Sequence, residues 1–342
     1  MHLVVAPDKF AGTLTASDAA RAIGRGWTKA RPGDRVDLAP MSDGGPGFVS
    51  TLHAALGGAW REVPTSGAHD ESVVARLLVV EDTAYIEAAQ VCGQRPARSD
   101  LRPLEASSAG LATVLLAALD LGVSQVVVGV GGTVSTDGGR PVVEALGRAW
   151  PRDVQLVAAV DVERPLLGPR GAARTFGPQK GATAEQVEVL ERRLAAWAAR
   201  VSVDPNSAGA GAGGGLGFGL IALGASAESG SALVAEAIGL SRRMSLADLV
   251  VTGEGRLDPS SWDGKVVGRV AELAGTGRTT GSGPPCWAFV GECRVSTDES
   301  ARHGIAAVWS LADTVGAVTA RSDAGAALEL VAIAAAGTSL GA

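Results

Sequence analysis

Apolar runs of strand length alternate with helical patterns at both ends of this 342-residue chain. Residues 3–6 predict a first strand, and a helix with one apolar face follows from about Thr15. A second strand is predicted at residues 35–38, and a second helical face begins at Phe48. Because a strand, helix, strand order leads to a parallel sheet, this alternation predicts a parallel sheet covered by helices.

The same alternation returns near the C-terminus. Strands are predicted at residues 249–252, 286–290 and 306–310, with helices at about 266–273, 298–304 and 322–336. The 47 glycines of the chain suit many tight turns between such elements. We therefore expect one parallel-sheet α/β domain formed by residues 1–66 and 235–342.

The middle of the chain has a different character and predicts an inserted second α/β domain at residues 67–234. Two runs at 72–80 and 83–88 predict a hairpin, and buried strands are predicted at 125–130 and 154–160. Thr183 and Gln186 form a capping-box pattern at the start of a helix. Residues 161–182 predict a long loop, and residues 208–219 predict a glycine turn that leads into a helix.

Composition excludes several classes of function. The hydrophobic fraction is 46% and the net charge is -6, without a basic run that would indicate a nucleic-acid partner. No apolar run reaches membrane-spanning length, and the N-terminus lacks the pattern of a signal peptide. Three cysteines without metal-finger spacing fit a reducing compartment. We therefore expect a cytoplasmic protein that contacts neither a membrane nor nucleic acid.

An acid followed by two glycines occurs twice, as Asp43-Gly44-Gly45 and Asp137-Gly138-Gly139, each before a helical pattern. A related segment runs from Gly253 to Asp258. Helix N-termini favour anions, and neighbouring carboxylates can hold a metal ion, so the set indicates a site for a phosphorylated ligand. The alternative is that each aspartate only caps a helix.

Several familiar catalytic motifs are absent from the sequence. Gly264-Lys265 is not followed by Ser or Thr, so no Walker motif is present. The GxGxxG match at Gly209 lies in glycine-rich sequence and has little weight. No GxSxG elbow occurs, and the four histidines do not group as metal ligands.

The remaining candidate residues carry oxygen and ammonium groups at glycine turns. Carboxylates can hold magnesium or accept a hydroxyl proton, and lysines neutralise phosphate, which together suit phosphoryl transfer. For any one lysine the alternative is a solvated surface charge. Glu87 is either a buried acid or an edge residue. The candidates are Asp8, Asp43, Asp137, Asp161, Glu254 and Asp258, with Lys9, Lys180, Arg256 and Lys265. Since ligands bind beyond the carboxyl ends of parallel strands, we expect one cleft between the two domains.

The sequence resembles the bacterial glycerate kinases of the glycerate 2-kinase type. The resemblance is collinear over nearly the whole chain and rests on seven segments. They are Ala6-Pro7-Asp8-Lys9-Phe10, Met41-Ser42-Asp43-Gly44-Gly45, Gly131-Gly132-Thr133 with Thr136-Asp137-Gly138-Gly139, Asp161 with Pro165-Leu166-Leu167-Gly168, residues 176–182, residues 209–217, and Thr252-Gly253-Glu254-Gly255 through Asp258 and Gly264-Lys265.

The resemblance implies transfer of the γ-phosphate of ATP to D-glycerate, with Mg²⁺, and a flavodoxin-like domain with an inserted domain. It implies catalytic roles for Asp8, Lys9, Asp43, Asp137 and Asp161. It implies substrate or nucleotide binding by Gly44, Gly45, Gly131, Gly132, Thr133, Thr136, Lys180, Gly253, Glu254, Arg256, Asp258 and Lys265. Asp43, Asp137 and Glu254 are the implied metal ligands. The partner is then a small hydroxy acid, and a homodimer is left open.

The chain departs from the family pattern at several positions. Thr136 stands where the family usually has Asn, and Ser260 stands where it usually has Gln. Glu163-Arg164 replaces a pair that is usually Asp or Thr followed by Asn. Ala11, Pro46 and Ala109 also differ, and the stretch between Gly147 and Val154 is shortened. Two other functions therefore remain as alternatives to a glycerate kinase. One is a kinase for another small hydroxy acid, and the other is a paralogue that binds nucleotide or metabolite without catalysis.

Overall fold

The computed structural model of the protein describes residues 1–94, 101–147, 150–160, 164–276 and 283–338. The chain forms two compact units. We call them the terminal unit, Met1–Ser42 with Ser231–Ala342, and the central unit, Asp43–Gly230. The sequence assigned residues 43–66 to the terminal domain, whereas the structure groups them with the central unit, because the strand they contain pairs within the central sheet.

The described ranges contain eleven strands and fifteen α-helices, numbered in chain order. The strands are β1 (His2–Val5), β2 (Arg35–Leu38), β3 (Ala59–Ser66), β4 (Ser72–Val80), β5 (Thr83–Glu87), β6 (Gln125–Gly129), β7 (Gln155–Val160), β8 (Ser226–Ser229), β9 (Leu249–Leu257), β10 (Cys286–Cys293) and β11 (Ile305–Ser310). The helices are α1 (Ala16–Ala30), α2 (Phe48–Leu56), α3 (Ala89–Cys92), α4 (Gly110–Leu119), α5 (Arg140–Leu146), α6 (Ala172–Phe176), α7 (Ala184–Ala198), α8 (Ala212–Ala222), α9 (Gly230–Ala237), α10 (Leu240–Met244), α11 (Val266–Thr276), α12 (Thr297–Arg302), α13 (Leu311–Val315), α14 (Ala317–Ser322) and α15 (Ala324–Ala336). Short 3-10 helices cover Pro178–Lys180 and Pro259–Trp262. Within these ranges, no helix combines the length and the apolar character that crossing a membrane requires.

The terminal unit contains a sheet of five parallel strands in the order β11, β10, β9, β1, β2. Strand β1 lies between β9 and β2, so the two ends of the chain meet in one sheet. The inner strands are buried over most of their length, as expected for a parallel sheet with helices on its faces. The predicted α/β class with a parallel sheet from both chain ends is therefore confirmed.

Helix α1 shows how local sequence fixes an element of this unit. The Thr15 side chain accepts a hydrogen bond from the Asp18 amide and caps the helix. Ile23 and Trp27 lie on its buried face, where a side chain of their size contributes about 1.5–3 kcal/mol of stability. Gly26 lies where the backbone of α15 passes so closely that no side chain would fit.

The central unit contains a mixed sheet in the order β3, β4, β5, β6, β7, β8. Strands β3, β4 and β5 pair antiparallel, which confirms the predicted hairpin, and the remaining pairs are parallel. Strand β3 was not predicted from the sequence. It contains Pro64, which cannot donate to a strand ladder, and β3 lies at the edge of the sheet, where a missing donor is tolerated.

Regular structure extends further than the sequence predicted in two places. The predicted loop at 161–182 includes α6 and the 3-10 helix Pro178–Lys180. Strand β9 does not end at Thr252 but continues through Leu257, pairing Glu254 with Val290 of β10. The reason is that Gly253 has no side chain, and a Cβ atom there would overlap the Phe289 carbonyl oxygen. This glycine therefore serves close strand packing and does not form a turn.

Candidate active site

The first Asp-Gly-Gly segment forms a turn that precedes α2. Asp43 is buried, and its Oδ1 atom accepts a hydrogen bond of 3.0 Å from the Gly45 amide. Gly44 adopts a φ of +89°, a conformation that favours glycine. The residue at the N-cap of α2 is Gly47, so the interpretation of Asp43 as a helix cap is wrong.

The second Asp-Gly-Gly segment repeats this geometry before α5. The Oδ1 atom of Asp137 accepts a hydrogen bond of 3.1 Å from the Gly139 amide, again two residues ahead. Gly138 and Gly139 have φ values of +70° and +64°, and Gly139 occupies the N-cap position. An aspartate that bonds to its own backbone two residues on stabilises a turn, so both acids order their loops and neither caps a helix.

The first turn packs directly against the predicted glycine pair that follows β6. The Gly131 amide donates a hydrogen bond of 3.2 Å to the Gly44 carbonyl. A Cβ atom on Gly131 would lie 2.8 Å from the Gly45 Cα, and one on Gly132 would lie 2.5 Å from the Pro46 Cδ. The missing side chains therefore allow Gly131 to pack against the backbone of the turn and Gly132 to pack against the Pro46 ring. Their predicted contact with a ligand stays a prediction.

Lys180 lies buried in the central unit at the end of the 3-10 helix Pro178–Lys180. Its ammonium group donates a hydrogen bond of 2.6 Å to the Ser135 carbonyl and contacts the Thr133 hydroxyl at 3.5 Å. Burial lowers the pKa of Lys180 to about 8, and the negative charge of Asp137 opposes this shift. The structure thus brings together three sequence-predicted residues, namely Thr133, Asp137 and Lys180.

A run of three glycines in α8 makes room for this lysine. Gly213, Gly214 and Gly215 have φ values of +60°, +72° and +87°, so the chain turns with a left-handed twist before the helix proper. A Cβ atom on Gly214 would lie 2.6 Å from the Lys180 Nζ. The sequence identified the glycine turn but did not link it to Lys180.

Ser108 holds the carboxylate of Asp137 and was not predicted as a site residue. The Ser108 amide donates a hydrogen bond of 2.6 Å to Oδ2, and the Ser108 hydroxyl donates one of 2.9 Å to the same atom. Burial raises the pKa of Asp137, while the hydrogen bonds from Ser108 and Gly139 and the charge of Lys180 lower it. Ser108 lies 29 residues before Asp137, so no local pattern in the sequence indicated the contact.

Glu87 at the end of β5 is buried. Of the two interpretations left open by the sequence, an edge residue is therefore wrong and a buried acid is correct. Its Oε2 atom accepts hydrogen bonds of 3.0 Å from the Gly47 amide and 3.4 Å from the Val49 amide at the start of α2. A carboxylate at a helix N-terminus is favourable for the helix dipole. Glu87 therefore fixes the helix that follows the Asp43 turn.

In the terminal unit, Asp8 and Lys9 follow β1 as predicted. The Asp8 Oδ1 atom accepts a hydrogen bond of 2.7 Å from the Lys9 amide, and the Lys9 ammonium lies 3.5 Å from it. The Asp8 amide donates to the Gly253 carbonyl at 2.8 Å, which places this acid beside strand β9. Glu254 is the next residue of that strand and is buried.

A second group of predicted residues in the terminal unit forms a hydrogen-bonded chain. The Lys265 ammonium donates to the Ser260 hydroxyl at 2.8 Å, and this hydroxyl donates to the Asp258 carboxylate at 2.6 Å. Burial raises the pKa of Asp258, but the hydrogen bonds from Ser260 and the charge of Lys265 outweigh it, so the pKa lies below its usual range. Asp258 also caps the 3-10 helix Pro259–Trp262, so the interpretation as a cap is correct for this acid.

Some predicted residues are not joined to these groups. Arg256 is exposed and pairs with Glu292 at 3.3 Å on the surface of the terminal unit. Asp161 lies outside the described residues. The described part of the chain has no group of three or more His, Cys, Asp or Glu side chains placed to hold a metal ion.

Comparison with known proteins places the chain among relatives of similar length. It matches the model of the glycerate kinase family over residues 3–153 and 148–338. It is 42% identical over 338 residues to an uncharacterized protein of Mycobacterium bovis, covering 93% of this chain and 86% of that protein. It is 33% identical over 354 residues to the glycerate 2-kinase of Escherichia coli K12, with 92% of each protein covered.

The fold agrees with these sequence matches. A crystal structure of a Salmonella typhimurium LT2 protein that bears the name glycerate kinase 2 superposes with a TM-score of 0.74 at 31% identity. The match covers 98% of this chain and 97% of that one. The resemblance inferred from the seven motifs is therefore confirmed, and the chain belongs to the glycerate kinase family.

Proposed function

We propose that this protein transfers the γ-phosphoryl group of ATP to the 2-hydroxyl group of D-glycerate. The hydroxyl oxygen forms a bond to the γ-phosphorus, while the bond between that phosphorus and the bridging oxygen of ADP breaks. The hydroxyl proton passes to a carboxylate, and the products are 2-phosphoglycerate and ADP. This reaction needs a cation that neutralises the phosphates and a base that accepts the hydroxyl proton. It also needs a rigid backbone that holds these two groups in position.

The surroundings of Lys180 are the observation that carries this proposal. A buried ammonium group is costly, and here it is held by one carbonyl, one hydroxyl and the charge of Asp137. A phosphate group that approaches Lys180 would gain a charge-assisted hydrogen bond in a site with little water to weaken it. Membership of a kinase family supports the same role for this lysine.

Asp43 is the base in this proposal. The other predicted acid of the central unit, Asp137, already accepts three hydrogen bonds from Ser108 and Gly139. These bonds fix its orientation and leave it little capacity for a further proton donor. Asp137 instead acts as the counter-charge of Lys180, and Asp8 and Asp161 are the remaining candidates from the sequence.

Magnesium enters this proposal as part of the MgATP substrate. Mg²⁺ prefers oxygen ligands and commonly binds through one or two carboxylates together with substrate phosphates. The ligands implied by the family resemblance, Asp43, Asp137 and Glu254, have the carboxylate chemistry that suits the ion, but the described residues contain no group of three such side chains placed to hold it. We therefore expect the ion to enter with ATP, held mainly by the substrate phosphates.

A direct assay tests the proposal. Purified protein is incubated with ATP, Mg²⁺ and D-glycerate, and the product is passed to enolase, which acts on 2-phosphoglycerate. We expect turnover that Asp43→Asn reduces by about 100- to 10,000-fold, the usual cost of removing a general base. A signal that requires added phosphoglycerate mutase would instead show the 3-phosphate. A fully active Asp43→Asn variant would show that Asp43 is not the base.

The acceptor is the part of the proposal that the family departures affect most. Ser260 is short and is engaged by Asp258 and Lys265, whereas the family usually has the longer Gln at this position. The same assay with L-glycerate, glycolate and lactate therefore accompanies the D-glycerate measurement. A higher kcat/KM for one of these acids would replace glycerate as the substrate and leave the kinase class intact.

A further inference from the structure

The central unit contains a cavity of about 420 Å³ between α5, α7 and the segment before α4. Its volume lies within the range of about 300–1,000 Å³ that is usual for small-molecule sites. One wall is formed by α7, with Leu190, Arg193, Leu194, Ala196 and Trp197. The opposite wall comes from the start of α5 and includes Thr136, Asp137 and Arg140. The cavity thus begins at the acid that faces Lys180 and extends away along α7.

The charges around the cavity favour an anion. Three arginines line it, against two acids. Arg140 pairs with Glu144 at 2.6 Å, and Arg193 donates to the Leu104 carbonyl at 2.8 Å. Arg200 makes no ion pair within the described residues. A surplus positive charge at a cavity of a protein whose net charge is -6 is a local signal for a negatively charged ligand.

The rest of the lining is apolar and suits a flat ring. Leu190, Leu194 and Trp197 form a continuous face of α7, and Pro103 lies in the segment before α4. The Trp197 ring is held in place because its Nε1 atom donates a hydrogen bond of 3.1 Å to the Gly138 carbonyl. Apolar and aromatic walls with a few polar groups are usual for small-molecule and cofactor sites, and such walls can pack against a flat base.

A buried hydroxyl group lies at the Asp137 end of the cavity. Thr136 is 2% exposed, and its Oγ1 atom has no hydrogen-bond partner among the described residues. A buried polar atom without a partner is costly, so Thr136 is suited to a ligand that supplies the missing bond. The phosphate-binding candidate Lys180 contacts the neighbouring Ser135 carbonyl.

We propose that this cavity binds the adenine nucleotide, with the base against the α7 face and the phosphates at Thr136 and the arginines. The inference rests on the proposed function, because it extends the phosphoryl-transfer site at Lys180 to its nucleotide. A three-carbon acid would leave most of a 420 Å³ cavity unfilled, whereas a mononucleotide has both the flat ring and the charges that the walls favour. The arginines provide bidentate donors for phosphate oxygens.

A substitution that fills the cavity with a large side chain tests the nucleotide assignment most directly. Ala196 and Ala195 are both exposed on α7, but only Ala196 lines the cavity. Ala196→Trp should weaken binding of ADP, measured by titration calorimetry without any acceptor, at least about tenfold. Ala195→Trp, which adds the same side chain beside the cavity, should change it by less than about twofold. Equal affinities in the two variants would overturn the assignment.

A charge test uses neighbouring arginines of the same region. Arg200→Ala should raise the KM for ATP about five- to tenfold and leave the KM for the acceptor unchanged. Arg192→Ala removes the same charge from an exposed position that does not line the cavity, and it should have little effect. A rise in the acceptor KM with an unchanged ATP KM would overturn the nucleotide assignment in favour of an acid site.

The ADP titration separates this inference from the proposed function. If the protein phosphorylates no hydroxy acid but Ala196→Trp abolishes ADP binding, the cavity assignment stands and the glycerate kinase proposal fails. If glycerate is phosphorylated but Ala196→Trp leaves the affinity for ADP unchanged and Arg200→Ala leaves the KM for ATP unchanged, the glycerate kinase proposal stands and the cavity assignment fails. Failure of the wild-type protein to bind ADP or ATP would also overturn the cavity assignment.

Discussion

The ammonium nitrogen of Lys180 lies 2.6 Å from the position that a Cβ atom on Gly214 would occupy. The two residues are 34 positions apart, and the lysine fills space that exists only because residue 214 has no side chain. At a φ of +72° this position also favours glycine for its backbone. A side chain at position 214 and the observed position of Lys180 therefore exclude one another.

The Cβ atom of Gly214→Ala would lie 2.6 Å from the Lys180 ammonium nitrogen and 2.1 Å from the Ser135 carbonyl oxygen that accepts its hydrogen bond. The variant should therefore displace Lys180 and reduce kcat/KM by about 100-fold, the cost of moving a catalytic group by about 1 Å. It should also lower the free energy of unfolding through backbone strain and the clash. Gly122→Ala is the matched control, because Gly122 has the same φ of +72° with nothing within 4 Å of its Cβ position. The control should show only the strain, about 1–2 kcal/mol, with activity within about twofold. Equal activity in both variants would contradict the contact.

The lowered pKa of Lys180 predicts how activity depends on pH. Phosphate binding needs the protonated amine, so kcat/KM for ATP should fall as the pH rises through about 8. In the nucleotide complex the phosphates favour the charged amine, and the decline in kcat should move to higher pH. Lys180→Arg keeps its charge at every accessible pH, so any residual activity should lack this decline. A decline that persists in Lys180→Arg must come from another group.

The same shift predicts a dependence of stability on pH. Between pH 8 and 10.5 the unfolded chain binds a proton on Lys180 that the folded protein has lost. The unfolding free energy should therefore rise with pH across this interval, by about 3 kcal/mol at most, and this group should contribute no change below pH 8. Urea denaturation at several pH values measures the rise, and Lys180→Met should remove it. An identical pH dependence in the variant would show that Lys180 is not the cause.

Local features of the fold could be predicted because their signals lie within one helical turn or one strand. The Thr183 and Gln186 capping box is present as predicted, since both bonds join residues three positions apart. Strand β2 and helix α2 also begin where the sequence placed them. In each case the residues that specify the element lie inside it or directly beside it.

The contacts that build the site could not be predicted, because they join distant positions. Ser108 and Asp137 lie 29 positions apart on either side of β6, and no local pattern in the sequence indicates their contact. The sequence left the alternative interpretation of Asp43 as a helix cap open, because a turn and a helix cap select the same residue types. Local sequence therefore identified the acid and the glycines but left their hydrogen-bond partners undetermined.

Ser108→Ala tests how much the Ser108 hydroxyl stabilises the buried carboxylate of Asp137. The variant removes a hydroxyl donor to a buried carboxylate but keeps the Ser108 amide, so we expect a loss of about 1–3 kcal/mol of unfolding free energy. The pKa of Asp137 should rise further, which weakens its attraction for Lys180 and lowers kcat. Ser107→Ala is the control, because the Ser107 hydroxyl only accepts a bond from the Ala109 amide. Equal losses in the two variants would argue against a special role for Ser108.

Ser260 links Lys265 to Asp258 in the terminal unit, and its removal tests whether that chain serves the reaction. Ser260→Ala deprives the lysine of its acceptor at 2.8 Å, so we expect kcat/KM to fall about three- to tenfold. The Asp258 pKa should rise toward its ordinary value, because the hydroxyl donor at 2.6 Å is lost while the amide donor at 2.9 Å remains. Because a lowered carboxylate pKa stabilises the folded state above the unfolded pKa of 3.8, the variant should lose less stability on acidification. Ser260→Thr retains the hydroxyl and should restore both the activity and the Asp258 titration followed by NMR. If the alanine variant changes the titration but not kcat/KM, the chain stabilises its loop and takes no part in binding substrate.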